Sequence, residues 1–184
     1  MIRAQCLPTK IRCTEFLDHP APKCAHHTLV MSYEISPPKS KTSRDRRPYV
    51  AIWVEDKDRL AVRTLMLSVQ ANAPGPRWIP DLKHWYQADQ VRKLVDKVDL
   101  VETISRATRP AGNYKVIWNG KDDRGASLPA GTYTIAIEVA REHGTHQIIR
   151  KELILANEPI VEELKGNVEL KSASIEYRRK GTGK

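Results

Sequence analysis

From Thr28 onward, apolar and polar positions alternate in short runs, the period of β-strands rather than helices. TLVMSYEI (28–35) is the first such run and stops at Pro37-Pro38. PYVAIWVED (48–56) puts Val50, Ile52 and Val54 on one face and Tyr49, Ala51 and Trp53 on the other. Both faces are apolar, which predicts a central strand buried on two sides. A polar turn at Asp56-Lys57-Asp58 leads into AVRTLMLSV (61–69), where Val62, Thr64, Met66 and Ser68 alternate with Arg63, Leu65, Leu67 and Val69. Further strands are expected at 113–118, 132–140, 146–155 and 167–177, joined by short Gly-, Asn- and Pro-containing turns. About seven strands so connected predict an all-β fold, a β-sandwich. One segment departs from the pattern. After the breaker Ala73-Pro74-Gly75-Pro76, residues 80–95 have helical spacing. Leu82, Trp85, Tyr86, Val91, Leu94 and Val95 fall on one side, and Pro80 and Asp81 suit a first turn. One inserted helix is expected there, with Trp78, Trp85 and Tyr86 as an aromatic lid on a sandwich edge.

Composition sharpens this picture. At 184 residues with 40% hydrophobic residues, the chain can bury one ordinary core and carry a tail. It has no run of 18 apolar residues, so no membrane-spanning helix is expected. The formal charge is +9, but KSKTSRDRR (39–47) and the last eight residues supply +8 of it. Basic groups in a Pro/Ser-rich linker and a Gly-containing tail do not make an ordered nucleic-acid-reading face. Residues 1–28 hold Cys6, Cys13 and Cys24 near His19, His26 and His27. They lack the close Cys spacing of structural zinc sites. They also lack the apolar run of a secretory signal, so the chain read literally would be cytoplasmic. The segment is expected to be a disordered extension. The ordered domain is then 29–179, followed by a basic tail at 180–184.

Catalytic chemistry finds little support. Ser68, Ser105 and Ser127 are not in a G-x-S-x-G setting. His143 and His146 form an H-x-x-H pair around Gly144. They are candidate metal ligands if Gly144 bends the chain, because strand residues three apart otherwise point to opposite faces.

The most specific stretch is NYKVIWNGKDDRGASLPAGTY (113–133). Trp118 ends a strand, Asn119-Gly120 permits a reversal, and Asp122, Asp123 and Gly125 form a polar loop. Pro129 and Gly131 turn the chain back into the strand that Tyr133 enters. Lys121 stands where an EF-hand would need an oxygen ligand, so calcium is not indicated. The stretch resembles the signature of the Ig-like domain in flagellar hook-capping proteins, in which these residues are structural. The body as a whole resembles a narrower family, the predicted periplasmic domain-of-unknown-function family numbered 2271. RRPYVAIWVEDKD, RWIPDLKHWY, ATRPAGNYKVIWNGKDD, AREHGTHQ and LKGNVELKSASIEYR carry that resemblance from about Leu29 to Arg179. It implies a periplasmic Ig-like or fibronectin-like β-sandwich. It also implies a flavin transferase and a peptidase-propeptide-type membrane protein as partners, and a place in flavin-linked redox or metal uptake, without catalysis of its own. Glu102-Thr103-Ile104-Ser105-Arg106-Ala107-Thr108 further resembles a flavinylation motif, in which FMN would be joined to Thr108 with Ser105 and Arg106 beside it. Arg106 replaces the Gly of that motif, a position at which glycine's backbone freedom matters.

Overall fold

The computed structural model describes residues 27–38, 47–70, 72, 75–142, 144–155 and 158–179. The described chain is an all-β sandwich of two sheets with a helical insertion on one outer face. One sheet has the order β5-β1-β9-β8, formed by Gly112–Trp118, His27–Ile35, Leu170–Arg179 and Ile160–Lys165. The other has the order β4-β3-β2-β6-β7. Its strands are Ser105–Arg106, Ala61–Ser68, Tyr49–Glu55, Gly131–Ala140 and His146–Leu155. All neighbours run antiparallel except β3 and β4, which are parallel.

β2 is buried at every position and lies in the middle of its sheet, where its two apolar faces require it to be. Val50, Ile52 and Val54 join Ile135, Ile137 and Val139 of β6 in the layer between the sheets, packed against Leu29, Met31, Tyr33 and Ile175. Tyr49, Ala51 and Trp53 turn outward and meet a second cluster, built with Ile79, Leu82, Trp85 and Leu100. β3 alternates less regularly than its sequence suggests. Its register against β2 slips between Ile52 and Trp53, so Met66 pairs with Ile52 but Thr64 with Trp53. Such a bulge turns one side chain to the other face. The Thr64 hydroxyl accepts a hydrogen bond from Trp85 Nε1 at 3.3 Å, beneath the insertion.

The insertion is a 3-10 helix (Gly75–Asp81), then α1 (Lys83–Asp96) and a short α2 (Leu100–Ile104). Pro80 and Asp81 belong to the 3-10 helix rather than to the first turn of α1. The apolar side expected of the longer helix is only half correct. Trp85 is buried together with Asp89 and Arg92, whereas Val91, Leu94 and Val95 are exposed, Leu94 by 83%. Position fixes the first-turn tryptophan in the outer cluster, and the next two turns present Asp89 and Arg92 to the protein as a bonded pair. Lys93 also reaches Asp89, at 3.2 Å, and Asp99 at 3.1 Å. An ion pair on the packed face leaves the aliphatic side chains to the other side. Three elements had no sequence expectation: the short α2, the two-residue β4 and the edge strand β8.

Candidate metal centre

α1 begins without a cap of its own: Leu82 at its N-terminal boundary supplies no side-chain hydrogen bond. The cap comes from the sheet. Glu138, on the outward face of β6, accepts the His84 main-chain N–H on Oε1 at 3.0 Å and that of Trp85 on Oε2 at 2.8 Å. These are orphan donors of a helix start, and a carboxylate suits its positive end. Glu138 is 0% exposed.

The same carboxylate draws in two imidazoles. His84 Nδ1 stands 3.0 Å and His146 Nε2 2.6 Å from Glu138 Oε1. β6 and β7 pair Ala140 with His146, which sets the first residue of β7 beside Glu138 on the outward face. The rings are nearly parallel, 24° apart in plane with centroids at 5.8 Å. One ligand atom from each of the three side chains lies within 4.8 Å of the other two. Ligand atoms around one ion at ~2.0–2.2 Å stand at most about 4 Å apart. A shift of under about 1 Å would therefore bring all three onto a common ion. His84 and His146 have that freedom, since their side chains are 40% and 29% exposed. Two imidazoles and one carboxylate suit zinc, copper or nickel rather than calcium or magnesium.

His84 also lines a cleft of about 660 Å³ between α1, the β2–β3 turn and the loop after β5. A second buried carboxylate stands at this cleft: Glu55, 3% exposed, accepts Trp53 Nε1 at 2.8 Å and faces Arg59 at 3.2 Å and Arg150 at 3.5 Å.

His143 falls outside the described residues, so the H-x-x-H pair is represented by His146 alone, and among the described residues its imidazole partner is His84. The neighbours of His146 serve the sandwich. Arg141 binds Glu169 at 2.9 Å, Thr145 also bonds Glu169, and Gln147 accepts the Leu170 main-chain N–H at 3.0 Å. Sequence reasoning missed His84 and Glu138. The available signal was Glu138 itself, an acid within the apolar run TYTIAIEVA.

The loop after β5 is held by its own polar groups. Trp118 Nε1 donates to the Lys121 carbonyl at 2.8 Å, and Asn119 Oδ1 accepts the Lys121 N–H at 3.3 Å. Gly120 and Gly125 have positive φ. Asp122 Oδ1 accepts the N–H groups of Arg124 and Ala126. Asp123 accepts the Thr64 N–H and faces Arg63 at 3.5 Å, tying the loop to β3. Burial raises the Asp123 carboxyl above the usual range, against the opposite pull of Thr64 N–H, Arg63 and Arg92. Tyr133 donates to the Pro129 carbonyl at 3.0 Å, and Gly131 opens β6.

The stretch around Thr108 lies at the far edge of the same sheet. Glu102 is in α2, and Ser105 and Arg106 form β4 against Leu67 and Ser68. Val69 N–H donates to the Arg106 carbonyl and Ser68 Oγ to that of Ala107, both at 2.9 Å. Thr108 is half-buried, and its carbonyl accepts from Arg47 at 3.3 Å.

Residues 30–172 match the family of predicted periplasmic proteins DUF2271. The chain belongs to this family. The DUF2271 match takes in the whole five-stranded sheet, the other sheet as far as the start of β9, and all three residues of the His84–Glu138–His146 cluster. It places the protein in the periplasm, by the family's description. Comparison with curated proteins and with solved structures finds no match. Among the described residues, no helix is long and apolar enough to cross a membrane.

Proposed function

We propose that this DUF2271 protein is a non-catalytic periplasmic module that holds a divalent transition-metal ion between His84, Glu138 and His146. The observation that carries this reading is the convergence of two half-exposed imidazoles on one fully buried carboxylate. A buried carboxylate is costly unless it is satisfied, and here two main-chain N–H groups and two rings surround it. The centre ties α1 to the sheet, so an ion there would add a cross-link between helix and strands. Three protein ligands leave coordination positions open, as in zinc sites that also hold water or a ligand. Within the membrane system that the family resemblance suggests, such a module would present or store metal for a flavin-linked partner. The Ig-like likeness of the loop after β5 fits this reading as a scaffold, since Asp122 and Asp123 are engaged in fastening the loop.

Covalent FMN at Thr108 is the weaker reading. The hydrogen bonds from Val69 and Ser68 strap the motif to β3, and a transferase closing over Thr108 would have to work around them.

The test is zinc titration of the untagged chain in competition with a chromophoric chelator. One equivalent of zinc should bind, and His84→Ala and His146→Ala should each weaken it at least about tenfold. Excess calcium should not compete. Zinc uptake unaffected by either substitution, or none at all, would overturn the reading.

A further inference from the structure

The metal centre and the 660 Å³ cleft share His84. The cleft falls within the ~300–1,000 Å³ range of small-molecule sites. Its apolar wall includes Ala61, Ala88, Val91, Val95 and Leu128. Val91 and Val95 are the aliphatic residues that α1 turns away from the sheet, and Val95 is 72% exposed. The cations on this wall differ in how firmly they are held. Arg92 and Arg124 bond directly to Asp89 and Asp96. Arg150 meets Glu55 only at 3.5 Å and shares it with Arg59. Arg150 also lies on the same strand as His146, four residues on and therefore on the same face, roughly 13 Å along the strand. Arg150, turned toward Glu55, and His84 of the metal centre both line the cleft.

We infer that the cleft binds an organic carboxylate with an apolar body. Its carboxylate would complete the coordination of the ion beside His84 with support from Arg150, and its body would lie against Val91, Val95 and Leu128. This rests on the metal reading above. The chemistry is that of a three-ligand metal site whose remaining position belongs to a bound molecule rather than to the protein. A guanidinium is the side chain best shaped to share a carboxylate with a metal.

The experiment uses the full chain loaded with cobalt(II), whose visible bands report coordination, and salicylate as the probe. Salicylate should shift the bands with 1:1 stoichiometry. Val91→Trp, at an exposed position, should abolish the shift while leaving the cobalt spectrum as it was. Arg150→Ala should weaken salicylate about tenfold and leave cobalt in place. Cobalt bands that ignore salicylate, a shift that survives Val91→Trp, or equal salicylate binding to metal-free protein would each overturn the carboxylate site. Absence of cobalt bands altogether would instead remove the metal reading on which it stands.

Discussion

The two faces of the five-stranded sheet are built from the same strands and do different work. Ile137 and Glu138 are consecutive in β6, and each is 0% exposed. Ile137 points into the layer between the sheets, whose buried members are apolar side chains from seven strands. Glu138 points outward under α1. There the protein also buries Glu55, Thr64, Asp89 and Arg92, and each has a hydrogen-bonding partner. The inner layer can hold the sandwich together by burial alone, because it contains little else that needs satisfying. The outer layer is covered by one helix and open at a cleft. It can bury polar groups while leaving their partners, His84 and His146, within reach of solvent. Chemistry is therefore expected on the side that the sandwich does not need for closure.

The sharpest way to break this comparison is to cut both faces at adjacent residues. Ile137→Ala should cost about 2–5 kcal/mol of stability, the range for a large-to-small change in a closed core. The molecules that remain folded should bind zinc as before. Glu138→Gln should cost less, about 1–3 kcal/mol, because one of its two main-chain donors would face an amide N–H. Zinc affinity should collapse in that variant. Urea unfolding and zinc titration of both proteins read the two effects separately. Equal zinc loss in both variants would show that the faces are not independent.

Alkali should attack the inner layer in particular. Burial pushes the Tyr33 and Tyr177 hydroxyls up to about 12. Arg109 pulls Tyr33 down and Tyr114 pushes it up, both less than burial does. Their folded values lie above the ordinary 10.0, so their contribution is full below that pH. It is lost as pH rises from about 10 toward about 12. Thermal melts should fall across that window, with tyrosinate absorbance appearing as the protein unfolds. Tyrosinate that forms at pH 10 in the folded protein would contradict the burial.

The smallest effect is expected at the side of α1 that the sequence pattern marked as apolar. Leu94→Ser should change stability by no more than about 0.5 kcal/mol, because Leu94 is 83% exposed. Trp85→Ala, nine residues earlier on the packed side, should cost about 3–5 kcal/mol. A large loss from Leu94→Ser would mean that another surface covers that side of α1.

Much of the fold was legible because it depends on local pattern. The double-faced apolar run of β2 admits only a central position, and Gly120, Asp122 and Gly125 make a turn whose hydrogen bonds close within a few residues. The side of α1 that packs was not legible, since aliphatic spacing does not exclude a buried ion pair at Asp89 and Arg92. The candidate metal centre was less legible still. His146 stood out as a candidate, but beside His143 rather than beside His84.

The sequence by itself determined where most of the strands run, which strand is central, where the chain turns and which family it belongs to. Each of these is written in neighbouring residues. Only the tertiary structure decided that His84 and Glu138, 54 positions apart, meet His146, which lies 8 positions beyond Glu138. That meeting needs the pairing of β6 with β7 and a helix that takes its N-terminal cap from Glu138. No spacing rule contains it, because the contacts are made between elements rather than along one.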